Sequence, residues 1–205
     1  MKLLLALALA ASAAERPRLK QGVQGPWFGC DAAQRAAVEK AAGEASSRIW
    51  KAKEKAAGLS MRDERLIELE RKSTLRLFEL VVGEKPDDDL GFTLGSMFAE
   101  LGEPRLDVRC AAKDDKYCQA RSAYVKRGEP GIWVCPGFFR NKHEERVRTL
   151  VHEAAHRSGI GQAEGESYCP TFDCETSCGG KKAADAWSHF VHCAADGKPD
   201  KPLEL

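Results

Sequence analysis

The chain has 205 residues, with 32 lysines and arginines against 31 acidic residues, a formal net charge of +1. That balance excludes the basic stripe of a nucleic-acid binder, and beyond the first residues no stretch is apolar enough to cross a bilayer. All 8 cysteines lie from Cys30 onward, an even number that suits disulfides in an exported chain.

The opening, MKLLLALALAASAAERPR, sets Lys2 ahead of an apolar run from Leu3 to Ala14 that ends in small residues. This is the order of a secretory signal peptide, with Ala-Ser-Ala at 11–13 fitting the cleavage site. The run falls short of the ~18 residues a membrane anchor needs. Residues 1–14 are therefore read as signal, cleaved near Ala13 or Ala14, and residues 15–205 as one secreted or periplasmic domain without a membrane anchor. Export also argues against a thiolate zinc knot at Cys169, Cys174 and Cys178.

Residues 31–58 are rich in Ala, Glu, Lys and Arg with apolar residues at helical spacing, which predicts a long helix. Ser60 then precedes a second helix with Asp63 in its first turn and Gly83 at its end. EKPDDD (84–89) reads as a solvated turn and LGFTLGSMFAEL (90–101) as a short third helix. RLDVRC (105–110), SAYVK (122–126) and GIWVC (131–135) are short, alternating and rich in β-branched or aromatic residues, so two or three strands are expected. Residues 143–157 return to helical spacing through Val147, Leu150, Val151, Ala154 and Ala155, and Gly159 and Gly161 close that helix. After a loop rich in Gly, Cys and Pro, residues 181–195 form the last helix. The order is an α+β arrangement: a helical part over about 28–104, then a small sheet and the functional part over about 105–197.

Within RTLVHEAAHRSG (148–159), HEAAH places His152 and His156 four residues apart, hence on one helix face. Two imidazoles so placed can share one zinc ion, and Glu153 beside them can serve as a general base. Zinc lowers the pKa of a bound water from ~15.7 to ~7. The competing reading is two ordinary helix histidines. Against it stand the apolar-periodic helix, the glycines that follow, and the presence of two of only 5 histidines in the pattern. A third ligand six residues beyond His156, as in HExxHxxGxxH, is absent: Gly159 matches, but position 162 is Gln, a poor zinc ligand.

Downstream, AEGESYC (163–169) offers Glu164 and Glu166 ahead of Tyr168. Here the chain resembles the aspzincin peptidases, the group of deuterolysin and the peptidyl-Lys metalloendopeptidases, which follow HExxH with a glycine-bearing loop and Asp-x-x-Tyr. WFGCDAAQRAAVEKAAGEA (27–45), GIWVCPGFF (131–139) and ADAWSHFV (184–191) resemble the family's opening helix, the strand before its zinc helix and its closing helix. The resemblance spans most of residues 27–195 and implies a mainly helical, zincin-like α+β domain. It implies a secreted zinc metalloendopeptidase with one zinc per chain, a protein or peptide substrate and a monomeric state. His152 and His156 would hold the metal, Glu153 would be the base, and Tyr168 would stabilise the developing oxyanion.

The family's Asp position is Gly165 here. Glu166, whose longer side chain compensates for standing one residue late, is the expected third ligand, with Glu164 as the alternative. By the resemblance Asp185 stands at a position that serves either the substrate pocket or the support of a metal ligand, and it is also the next candidate to reach the metal from the last helix. The family's second acidic pocket position is Ser188, so strict lysine specificity is not expected. His189 and His192 are read as structural or surface residues. The resemblance further implies the disulfides Cys30–Cys110 and Cys118–Cys135, with Cys169, Cys174, Cys178 and Cys193 paired among themselves. Two other functions fit the same residues: an inactive metal-binding relative acting as a binding module, and a zinc amidase acting on a cell-wall substrate.

Overall fold

Helix α1 (Ala32–Ala57) forms where strong helix formers run between two stops. At its start Asp31 Oδ1 accepts from the Gln34 amide at 2.8 Å, and Gln34 Oε1 accepts from the Asp31 amide at 2.9 Å. Gly58 ends it in the left-handed region at φ 69°, where an added Cβ would lie 2.7 Å from Ile67 Cγ2. This is a computed structural model, and it describes residues 27–59, 63–102, 106–161, 168–169 and 174–196.

Helix α2 spans Glu64–Val82, and its cap is Asp63, whose Oδ1 accepts from the Arg65 amide at 2.9 Å. Ser60, expected just ahead of this helix, lies outside the described residues. Helix α3 (Leu90–Leu101) has the expected bounds. A four-stranded sheet follows in the order β1 (Trp27–Phe28), β2 (Val108–Cys110), β4 (Ile132–Val134) and β3 (Ala123–Tyr124). β1, β2 and β4 are parallel, while β3 pairs antiparallel with β4 and forms an edge. Val108, Ile132 and Val134 face the core. The paired row Phe28, Arg109, Trp133 and Tyr124 holds the Arg109 guanidinium 5.2 Å from both the Phe28 and Trp133 ring centres.

The chain then makes a short helix α4 (Pro136–Arg140), helix α5 (His143–Arg157) and helix α6 (Ala184–Asp196). Three elements were not expected from sequence, one of them the 3-10 turn Lys116–Cys118. β1 has too few residues for an alternation pattern, and α4 is a single turn started by Pro136. The α+β arrangement itself is the one the sequence pattern predicts.

α1 packs against α2, α3, α5 and α6. Its inward face is largely alanine: Ala41, Ala45 and Ala52 are 0% exposed, alongside Val38 and Ile49. Small side chains let neighbouring helix backbones approach closely, so one apolar cluster runs from α1 through α5 and α6 to the strands. Disulfides tie the margins. Cys30–Cys110 joins the start of α1 to β2, and Cys118–Cys135 joins a 3-10 turn to the end of β4, the two pairs the resemblance implies. Cys169–Cys178 and Cys174–Cys193 complete the set.

The packing of α1 makes a testable contrast. Ala45→Leu should destabilise the fold by about 1–3 kcal/mol through overpacking. Ala36→Leu, on the exposed face of the same helix, should change stability by less than about 0.5 kcal/mol. Denaturant unfolding with disulfides intact measures both, and equal losses would contradict the assigned face.

Candidate metal centre

Helix α5 carries Glu144 and Glu145 in its first turn and His156 and Arg157 in its last, an order that suits the helix dipole. Val147, Leu150, Ala154 and Ala155 anchor it in the core at 0% exposure, and His152, Glu153 and His156 are buried beside them. The two imidazole rings lie with centres 4.7 Å apart and planes at 83°.

Each ring is oriented through Nδ1. His156 Nδ1 lies 2.8 Å from the Ile160 carbonyl oxygen. A carbonyl only accepts, so the proton sits on Nδ1. His152 Nδ1 lies 3.1 Å from Asp185 Oδ1. Burial alone would raise the Asp185 carboxyl, but the bonds from His152 and the Cys169 amide, with the nearby Arg148 charge, hold it below its ordinary value. An ionised Asp185 also only accepts, so His152 carries its proton on Nδ1 too. In a neutral ring this puts the lone pair of both histidines on Nε2, the form in which imidazole binds metal. A ligating histidine typically donates its other N–H to a carboxylate or carbonyl. The chemistry of this donor set fits zinc.

The Ile160 contact depends on a tight turn. Ile160 is brought back over the end of α5 between Gly159 (φ 96°) and Gly161 (φ 71°). A Cβ on Gly161 would lie 2.9 Å from the Lys182 carbonyl oxygen and 3.2 Å from His156 Cε1. Only glycine gives both the conformation and the space.

Beside the rings opens a cleft of about 450 Å³ walled by residues 120–123, α5 and α6, and lined by His152, Glu153, Tyr168 and Asp185 among others. Tyr168 is 61% exposed at its edge, its ring parallel to that of His152 with centres 6.2 Å apart. Asp185, expected in a substrate pocket, does line the cleft, but both oxygens are engaged: Oδ1 with His152 and Oδ2 with the Cys169 amide at 2.6 Å. It meets His152 on the Nδ1 side, away from Nε2. Glu164 and Glu166, the expected third ligands, lie outside the described residues.

His189 and His192 stand apart from this pair. His189 is fully buried, and its Nε2 accepts from the Cys174 amide at 3.2 Å. His192 belongs to a charged group at the first turn of α5, where Glu144, His192 and Asp196 bring donor atoms within 4.8 Å of one another. The Arg48 guanidinium sits among them, bonded to Glu144 and 2.9 Å from His192 Nδ1, so a cation is already in place.

Sequence reasoning missed two cleft residues, Arg121 and Arg148. Arg148 was within reach, since it precedes His152 by one helical turn. Arg121 was not, because only the fold carries the segment before β3 to α5.

No family model matches the chain, and no curated relative matches it. Among solved structures, it is similar to a zinc peptidase from Grifola frondosa at 15% identity. The match covers 80% of this chain and 97% of that one, with a TM-score of 0.51. At this identity the likeness shows the fold alone, an α+β fold in agreement with the one implied by the sequence resemblance.

The turn offers a test. Gly128→Ala, at φ 78° with nothing within 4 Å of the new Cβ, should cost about 1 kcal/mol of backbone strain. Gly161→Ala should cost about 1–3 kcal/mol more, because a backbone oxygen must also shift. Equal losses by chemical denaturation would show that the turn does not press on His156 and Lys182.

Proposed function

We propose that the protein is a secreted zinc metalloendopeptidase, a monomer with one zinc per chain. The observation that carries this reading is the pair of α5 imidazoles on one helix face, each oriented through Nδ1, which puts the lone pair of a neutral ring on Nε2. His152 and His156 are two ligands, and Glu166, or else Glu164, is the third. Asp185 orients His152 instead of ligating, since it bonds the far side of the ring. The four disulfides support export. Among the described residues no helix is long and apolar enough to cross a membrane.

Zinc held here supplies Lewis acidity toward a peptide carbonyl and toward water. The edge strand β3 gives an extended substrate a backbone to pair with, because Ser122 and Ala123 line the cleft. The Glu153 carboxylate, on the cleft wall beside His152, takes the proton from the attacking water and delivers it to the departing amine nitrogen. The Tyr168 hydroxyl donates a hydrogen bond to the oxyanion that develops on the carbonyl.

Purified mature protein should bind close to one zinc, and a chelator should abolish cleavage of casein. Glu153→Gln should retain the metal and lose about 10²–10⁴-fold in rate. Wild-type rates in that variant would refute the mechanism. Asp185→Asn should weaken zinc binding about 10–100-fold by releasing the His152 ring, read by competition with a chelating dye. Of Glu166→Ala and Glu164→Ala, only the first should lose zinc sharply. Loss only in the second would move the ligand without changing the enzyme class.

A further inference from the structure

Three polar contacts join α5 to α6, and only one of them has a part in the chemistry proposed above. His152 Nδ1 meets Asp185 Oδ1 at 3.1 Å, the Arg148 carbonyl oxygen accepts from Ser188 Oγ at 3.0 Å, and Glu144 Oε1 lies 3.2 Å from His192 Nδ1. These residues descend along α5 as they ascend along α6, about one turn apart, so the helices run antiparallel and the contacts form the rungs of a ladder. The first rung orients a candidate ligand. The last ends in a histidine, the side chain whose ordinary charge change falls nearest neutral pH.

The His192 ring meets both signs of charge. Arg48 Nη1, from α1, stands 2.9 Å from Nδ1. A guanidinium only donates, so this nitrogen accepts and the neutral ring keeps its proton on Nε2. Glu144 Oε1 faces the same nitrogen at 3.2 Å and Asp196 Oδ2 at 3.7 Å. The Arg148 charge of α5 also bears on the ring. Beyond Arg48, Glu44 bonds both Arg48 and His143. α2 meets α6 through Phe78, packed against Trp187 and Phe190. The side chains of Glu144 and Asp196 are 45% and 41% exposed, so protons reach the group from solvent. Burial, with Arg48 and Arg148, outweighs the opposing pull of Asp196 and Glu144 and holds His192 below the ordinary imidazole value of 6.5.

We infer that His192 is an acid-sensitive latch joining α1, α5 and α6. A proton on Nδ1 takes the place of the N–H that Arg48 donates, so that bond is lost and two donors face each other. The new N–H is left to compete with Arg48 for Glu144, which slackens the junction of the three helices. The latch goes beyond the peptidase reading and holds whether or not the cleft cleaves peptides. It sets an acid limit on the ladder whose first rung orients His152. The folded ring binds a proton less readily than the unfolded one. Stability is therefore full above 6.5 and falls as pH drops from there toward the folded value.

The test combines NMR titration of the histidine side chains with denaturant unfolding, on purified mature protein with its disulfides intact. The neutral His192 ring should carry its proton on Nε2, the opposite of His152 and His156, and its midpoint should lie below 6.5. Asp196→Asn should lower that midpoint further, since it removes a carboxylate that favours the charged ring. On acidification the wild type should lose stability relative to His192→Gln, because Gln keeps an acceptor for Arg48 and does not titrate. The ratio of their unfolding constants should rise about tenfold for each pH unit by which the wild-type midpoint lies below 6.5. Groups common to both proteins cancel in that ratio. A midpoint at or above 6.5, a neutral ring protonated on Nδ1, or a ratio that does not change with pH would overturn the inference. If His192→Gln does not fold, the titration of Asp196→Asn decides: a lowered midpoint supports the latch, and an unchanged or raised one overturns it.

Discussion

The bond from His152 Nδ1 to Asp185 is the interaction on which the candidate centre depends, because it joins two helices distant in sequence at the point where the chemistry is set. It works only if α6 lies at the right height along α5. Phe190, Val191 and Cys193 are each 0% exposed and seat α6 in the core, and Ser188 ties it to the Arg148 carbonyl. Asp185 is steadied in turn by the Cys169 amide, and the Cys169–Cys178 disulfide holds that strand of loop. His156 is fixed differently. Its acceptor, Ile160, is only four residues away, and a glycine turn brings it into reach. One histidine is set by local backbone and the other by tertiary packing.

At the first turn of α5, a second polar group helps explain why α1, α5 and α6 keep their positions. Arg48 of α1 bonds both oxygens of Glu144 on α5 and approaches His192 on α6, while Glu44 bonds Arg48 and His143. Burial holds His192 below the usual imidazole range despite the pull of Asp196, and the Arg48 charge adds to the effect. Removing one member of such a half-buried group costs more than the net worth of any single pair, because the remaining charges lose their partners. The group therefore braces the start of the helix that carries the candidate ligands.

The helices were legible because each has a period and stops: Leu90–Leu101 and His143–Arg157 match the expected bounds residue for residue. The start of α2 differs because Ser60 and Asp63 are both good caps, and the structure uses Asp63. β1 and α4 escaped notice because two strand residues or one helical turn carry no periodicity. At the site, HEAAH was visible because its spacing is local. The resemblance left Asp185 between the substrate pocket and the support of a ligand, and only the fold names His152 as its partner, since nothing in a linear sequence says that residue 185 reaches residue 152. The cleft arginines were hidden for the same reason, in a chain whose overall charge is close to zero. The two inner disulfides needed the fold as well, because spacing alone allows three pairings of the last four cysteines.

The central claim is that the two α5 imidazoles hold zinc through Nε2 while their Nδ1 protons are engaged within the fold. Zinc K-edge X-ray absorption on the loaded mature protein tests it most directly. The account predicts a first shell of two imidazole nitrogens at ~2.0–2.1 Å with the remainder oxygen and no sulfur. A sulfur shell near ~2.3 Å, or a spectrum lacking imidazole scattering, would contradict it.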